Sequence, residues 1–356
     1  MAMRIALVST PWAPVPPLRY GGIELVVDSL ARGLSDEGHS VTLFATGEST
    51  CPVDRRWIHE RAEGERIGMI VPEMRHLIYA YKDLSEFDVV HDHTLIGPFL
   101  AAAGGLGLSD VRTPPVVTTI HGPLNSELAE IYESLAGKVH IVAISRAQAD
   151  DAPQVKIARV IHHGLDASGF PVGDGDGGYA LFLGRMSPSK GADTAIAVAK
   201  AAGVPLRMAA KMREPWEQAY FGEVLKPLLG DGAEYLGEVS HEEKLELLAS
   251  ACALLFPIRW HEPFGMVMLE AMACGTPVIA FGEGSVPEIV EHEKTGFICA
   301  DEEEMVAALG RVSEIDRREC RSAVEGKFSF RRMARDHIEL FEEILSRPSD
   351  GVESLR

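Results

Sequence analysis

Pro257-Ile258-Arg259-Trp260-His261-Glu262-Pro263-Phe264-Gly265-Met266-Val267-Met268-Leu269-Glu270-Ala271-Met272-Ala273-Cys274-Gly275-Thr276-Pro277 runs from a strand end into a segment with a single charge inside it. Pro263 suits a first helical position and Gly275-Thr276-Pro277 a stop, so the spacing predicts a helix over residues 263–274. Apart from Glu270, every side chain in it is apolar or glycine. A helix apolar on all sides belongs in a core, where an unpaired carboxylate costs several kcal/mol. Glu270 therefore requires a partner. Glu262 precedes the helix, beside its free first-turn N–H groups and the positive end of its dipole. Two carboxylates and a helix start frame a place for one polar ligand.

Outward from this stretch, buried strands are predicted at residues 253–257 and 277–281, and the same alternation fills the chain. The second half adds strands at 179–183 and 206–210 with a helix over 192–202. The first half shows strands at 4–9, 40–45, 88–91, 116–120, 140–143 and 159–161, separated by helical patterns such as residues 23–34. Such alternation predicts parallel α/β sheets whose ligands gather at the carboxyl ends of the strands. The run Asp174-Gly175-Asp176-Gly177-Gly178 breaks the periodicity, which places a linker over residues 166–178 between two α/β halves. An amphipathic helical pattern at 330–345 precedes a polar tail.

Composition narrows the class. The 356 residues, 46% of them apolar, suffice for two cores. A formal charge of -19 disfavours attraction to nucleic acid or to an anionic bilayer. Five scattered cysteines without a C-x-x-C pair fit reduced thiols, and hence a cytoplasmic chain. No apolar run approaches the roughly 20 residues of a membrane span.

Several short motifs bear chemistry, each with two readings. Gly184-Arg185-Met186-Ser187-Pro188-Ser189-Lys190-Gly191 follows a strand and precedes a helix, and its two cations would neutralise a diphosphate unless the loop is an ordinary charged turn. Lys211 ends the next strand, either as a third cation or as a solvated end. Gly21-Gly22, after the Pro-rich loop that ends at Tyr20, marks a plain turn or a close backbone approach to phosphate. Glu24 reads as a solvated first-turn acid. His121 emerges at a strand end, structural or catalytic. For His91-Asp92-His93, strand-end hydrogen bonding is preferred to a metal cluster, and His162-His163 reads as structural.

Taken together, Gly21-Gly22, His121-Gly122, Gly184-Arg185 with Lys190-Gly191, Ala210-Lys211, and Glu262-Pro263-Phe264-Gly265 with Glu270 resemble the family 4 retaining glycosyltransferases of GT-B fold. The resemblance spans almost the whole chain and implies two Rossmann-like doubly wound domains facing an interdomain cleft. Residues 1–168 would form the acceptor domain and 169–334 the donor domain, with a final helix, about 335–356, packing back on the first. By resemblance, Glu270 binds the donor ribose and Glu262 the sugar hydroxyls. Arg185 and Lys190 bind the diphosphate, with Lys211 beside them, and Gly21 and Gly22 approach it by backbone. Phe264, Gly265 and Met266 present helix-start amides, and His121 stands beside the transferred sugar. The implied reaction moves a hexose from a UDP-, GDP- or ADP-sugar to a small-molecule or glycan acceptor with retention, without a metal or other cofactor. The alternatives are a non-hydrolysing sugar-nucleotide epimerase and an inactive sugar-nucleotide-binding partner. The loop 11–17 and residues 49–81 are expected to shape the acceptor pocket.

Overall fold

The computed structural model describes residues 2–18, 21–103, 114–230 and 232–347. Its strands form two sheets. The first contains β1 (Arg4–Val8), β2 (Ser40–Phe44), β3 (Asp54–Arg56), β4 (Val89–Asp92), β5 (Val116–Thr119), β6 (His140–Ala143) and β7 (Ile157–Val160), ordered β3-β2-β1-β4-β5-β6-β7. The second contains β8 (Ala180–Arg185), β9 (Leu206–Lys211), β10 (Ala233–Gly237), β11 (Ala253–Phe256), β12 (Val278–Phe281) and β13 (Gly296–Cys299), ordered β10-β9-β8-β11-β12-β13. Every neighbouring pair is parallel. The doubly wound α/β architecture expected from the alternation is therefore present in both halves. β3, β10 and β13 have no counterpart in the sequence reading.

Strand order reverses at β1/β4 in the first sheet and at β8/β11 in the second. In an open α/β sheet the crevice at such a reversal takes the ligand. The loops leaving β8 and β11 carry Lys190 and Glu262, so topology alone brings these two residues to one crevice. β1, β4 and β11 are buried along nearly their whole length, in keeping with the apolar runs of β1 and β11, while β4 buries His91 and Asp92 behind Val89-Val90.

The last helix, Phe330–Ser346, leaves the second sheet and packs on the first. Its Met333, Ala334, Leu340, Phe341 and Ile344 join β1 and the first helix, Gly22–Asp36, in one apolar cluster. Gly33 permits that approach: a Cβ on it would stand 2.7 Å from the Ala334 Cβ and 3.2 Å from the Phe330 carbonyl oxygen. Gly33→Val is accordingly expected to destabilise the fold by about 1–3 kcal/mol through overpacking. A lowered urea midpoint would register this, and an unchanged midpoint would refute the tight helix crossing. The part of the expected final helix and tail beyond residue 347, and Tyr20, lie outside the described residues.

Residues 166–178 do not behave as a free linker. Gly173 donates its N–H to the Cys274 carbonyl at 3.1 Å and Gly175 to that of Ala249 at 3.2 Å, while Arg317 donates to the Gly173 carbonyl at 2.6 Å. The Gly-rich composition serves close backbone packing against the helix His241–Ser250 and the end of the helix Met266–Ala273.

Candidate active site

The helix inside the opening stretch is shorter than predicted. It spans Met266–Ala273, because Gly265 adopts the left-handed conformation (φ 81°, ψ 62°) and caps it. Pro263 is thus outside the helix. Phe264 is buried, with its ring 4.9 Å from that of His163, and its carbonyl accepts a 2.8 Å hydrogen bond from the Ser285 hydroxyl. Only Gly265 and Met266 are left to present helix-start amides.

A cavity of about 730 Å³ lies between the two sheets. Gly21, Gly22 and one face of the first helix, Leu25, Asp28, Ser29 and Arg32, line one side; Lys190, Lys211, Glu262, Gly265, Met266 and Glu270 line the other. Eight of the residues expected at a donor site therefore share one space. Arg185, His121 and Phe264 are not among its lining residues.

Glu270 has the partner its burial demands. Lys244, on the helix His241–Ser250, places Nζ 2.5 Å from Glu270 Oε1, and both side chains line the cavity. Sequence reasoning missed Lys244, because His241-Glu242-Glu243-Lys244 reads as a solvated charge run. Glu262 is likewise buried and paired: Lys190 Nζ bonds its Oε2, and Trp260 donates its indole N–H to the same oxygen at 2.8 Å. Lys190 also stands over the Trp260 ring, 4.9 Å from its centre. A cation held between a carboxylate and an aromatic face is positioned before any ligand arrives.

Arg185 is turned elsewhere. Its Nε bonds Glu217 Oε1 at 2.5 Å and its guanidinium lies over Trp216, 5.4 Å from the ring centre. Burial opposes charge on Glu217, but amide hydrogen bonds from Glu214 and Arg213 and the Arg185 pair outweigh it and hold the carboxyl below its usual range. Lys211 is half-buried, and burial together with Arg213 and Arg185 pulls its ammonium down. Glu24 is not solvated: it is 5% exposed and accepts a 2.6 Å hydrogen bond from the Thr10 hydroxyl. Burial pushes its carboxyl up against that hydrogen bond.

His121 belongs to a histidine cluster at the ends of β4 and β5. His93 Nδ1 lies 2.8 Å from His121 Nε2, and the His163 ring stacks on His121 at 5.1 Å. His91 Nε2 bonds the Thr119 hydroxyl at 2.8 Å and its ring lies 4.8 Å from that of His337. Burial drives the rings of His91, His93 and His163 well below their ordinary value, that of His121 down to about 3 and that of His337 to about 4. A set of neutral rings results. Among the described residues no group of three or more His, Cys, Asp or Glu is arranged to hold a metal ion, and no helix is long and apolar enough to cross a membrane.

Residues 20–168 match the model described as Glycosyltransferase Family 4, and residues 171–325 that described as Glycosyl transferases group 1. A glycogen synthase of Mycobacterium tuberculosis is 27% identical over 357 aligned residues, covering 84% of this chain and 82% of its own. AviGT4, a glycosyltransferase involved in avilamycin A biosynthesis, is 27% identical with a TM-score of 0.72, covering 97% of this chain and 99% of its own. Alr3699/HepE of Anabaena, solved with UDP and glucose, shares the fold at 19% identity and a TM-score of 0.73, covering 96% and 99%. Two parallel α/β sheets facing one cleft, with these likenesses, define a glycosyltransferase of GT-B fold. The chain belongs to glycosyltransferase family 4.

Proposed function

We propose that the protein transfers a hexose from a nucleoside-diphosphate sugar to a small-molecule or glycan acceptor with retention of anomeric configuration. Residues 1–168 with the final helix take the acceptor, and residues 169–334 hold the donor. The observation that carries this reading is the convergence of two part-buried Lys–carboxylate pairs, Lys190 with Glu262 and Lys244 with Glu270, on the cavity faced by Gly21 and Gly22. Glu270 accepts from the ribose hydroxyls, and Glu262 from those of the sugar. Lys190 and the amides of Gly265 and Met266 face the diphosphate. Gly21 and Gly22 approach it from the opposite side.

The chemistry follows from charge. As the bond between the anomeric carbon and the diphosphate oxygen breaks, negative charge grows on the leaving group, where a fixed cation and backbone N–H groups lower the barrier. The acceptor oxygen then bonds the anomeric carbon on the same face, and its proton passes to the departing phosphate oxygen. Arg185 joins the diphosphate only by leaving Glu217. His121 stands at the sugar's edge as a neutral ring.

A panel of UDP-, GDP- and ADP-glucose tests the reading by calorimetry and by slow hydrolysis. UDP-glucose enters because a neighbour of the same fold holds UDP and glucose. One member is expected to bind and to release nucleoside diphosphate; failure of all three overturns the proposal. With the bound member, Glu270→Ala is expected to weaken affinity about tenfold to a hundredfold, the loss of a charged hydrogen bond of about 1.5–3 kcal/mol. Equal affinity in titration would reject the ribose assignment.

A further inference from the structure

Between Glu262-Pro263-Phe264, the donor strip ahead of the helix Met266–Ala273, and His121 runs a series of hydrogen bonds, joined through two short helices, that crosses from one sheet's body to the other's. It starts at Ser285, whose hydroxyl donates to the Phe264 carbonyl at 2.8 Å and whose N–H donates to the Glu262 carbonyl at 3.0 Å. Ser285 opens the short helix Val286–Ile289, which carries Glu288. The Glu288 carboxylate reaches three donors of the other body: the N–H groups of Arg146 and Ala147, each at 2.9 Å, and His162 Nε2 at 2.7 Å. These hydrogen bonds outweigh the cost of burial and hold the carboxyl below its usual range. Arg146 and Ala147 begin the helix Arg146–Asp150, whose buried Gln148 completes the path. Gln148 Oε1 accepts from the Ile144 N–H at 2.8 Å, while Nε2 donates to the carbonyls of Ile120 at 2.9 Å and Gly122 at 2.6 Å.

Those two carbonyls flank His121. One amide group therefore clamps the backbone on both sides of that residue, and the orientation of the amide is fixed, since only its oxygen suits the Ile144 N–H. The helix bearing the clamp is in turn held by a carboxylate from the donor side. A charged acceptor on two adjacent N–H groups is among the stronger and more geometrically exacting hydrogen-bonded contacts.

We infer that Gln148 is a positioning residue for His121 and that Glu288 couples it to the seating of the two bodies, so that His121 is correctly placed only when the donor strip is docked. The inference rests on the reading of His121 beside the transferred sugar. Neither Gln148 nor Glu288 lines the donor cavity, so the coupling acts on turnover and spares donor affinity. A misplacement of a reacting group by about 1 Å costs up to about a hundredfold in rate.

Four variants test it: Gln148→Met, Glu288→Gln, the two combined, and His121→Ala. Each is assayed for single-turnover hydrolysis of whichever of UDP-, GDP- and ADP-glucose binds, with donor affinity from calorimetry. Gln148→Met and Glu288→Gln are each expected to slow hydrolysis about tenfold or more with donor affinity within about twofold of wild type. The double variant is expected to be no slower than the worse single one, as for residues acting through one path. A wild-type rate in folded Gln148→Met, or single effects that multiply in the double variant, overturns the coupling. Should Gln148→Met fail to fold, Glu288→Gln carries the test, because that side chain is only half-buried and outside both cores; its wild-type rate is equally fatal. A His121→Ala variant at the wild-type rate overturns the placement of His121 itself, whereas an inactive His121→Ala beside unimpaired Gln148 and Glu288 variants overturns the coupling alone.

Discussion

Lys190→Ala is expected to lower turnover of the bound sugar nucleotide by about a hundredfold to a thousandfold, the scale set by removing one donor aimed at developing charge. Lys190 is a cation fixed at the cavity, held by Glu262 Oε2 and the Trp260 ring. Because the charge on the leaving diphosphate grows along the reaction, the interaction is stronger in the transition state than in the ground state. Donor affinity should therefore fall by less than turnover. Lys190→Arg is not a rescue, since a planar fork does not fit the place of a compact ammonium beside a carboxylate and an indole. Single-turnover hydrolysis with calorimetric affinities separates the two effects. A variant that loses affinity and keeps its rate would assign Lys190 to binding alone.

The second large effect is on stability in mild acid. His76, His91, His93, His121, His163 and His337 all titrate below their ordinary value in the folded chain, with His76 and His337 brought down to about 4 and His121 to about 3, chiefly by burial. The unfolded chain takes up protons on these rings near pH 6.5 while the folded chain does not, so stability is full above pH 6.5 and is lost as pH falls. Each ring contributes a slope of up to about 1.4 kcal/mol per pH unit. Opposing them, Asp92 is raised to about 6, and Glu24 and Glu73 are raised by burial. Asp92 binds a proton more readily when folded and offsets part of the loss between about pH 4 and 6, and Glu24 and Glu73 act in the same direction. Six rings outweigh three carboxyls. The melting temperature is expected to fall by roughly 10 °C or more between pH 7 and pH 5, measured by calorimetry in matched ionic strength. A flat profile over that interval would contradict the neutral cluster.

How much of this was legible beforehand differs by element. Central strands announce themselves as continuous apolar runs, whereas β3, β10 and β13 are edge strands of three to five residues, and Asp54-Arg55-Arg56 carries no apolar side chain at all. β3 is short and polar, as suits an edge that must not pair with other chains, whereas β13, Gly296-Phe297-Ile298-Cys299, is apolar but only four residues long. That Glu270 needed a partner was evident from burial; Lys244 was not, since 26 residues separate them and only tertiary packing joins their helices. Arg185 illustrates the converse: by resemblance it matches a diphosphate contact, yet Glu217, whose helix Pro215–Tyr220 begins with Pro215 and a Glu214–Glu217 capping box, pairs with it instead. The expected helix start at Pro263 failed because a left-handed Gly265 outranks the preference of proline for a first turn. His91-Asp92-His93 and His162-His163 read as structural and His121 as structural or catalytic; the grouping of His91, His93 and His121 comes from the side-by-side pairing of β4 and β5, while His163 and His337 arrive from distant parts of the chain.

The return of the last helix has a consequence for how the chain is made. The cluster around β1 includes Met333, Phe341 and Ile344, residues from the far end of the sequence. While the ribosome is still extending the second sheet, the first lacks one wall of its interior, so the half translated first is completed last. Vectorial synthesis lets N-terminal domains finish early in most multidomain chains. Here, truncation a few turns before the carboxyl end would expose apolar surface on the opposite body, and a nascent chain stalled near residue 325 would present that surface to chaperones.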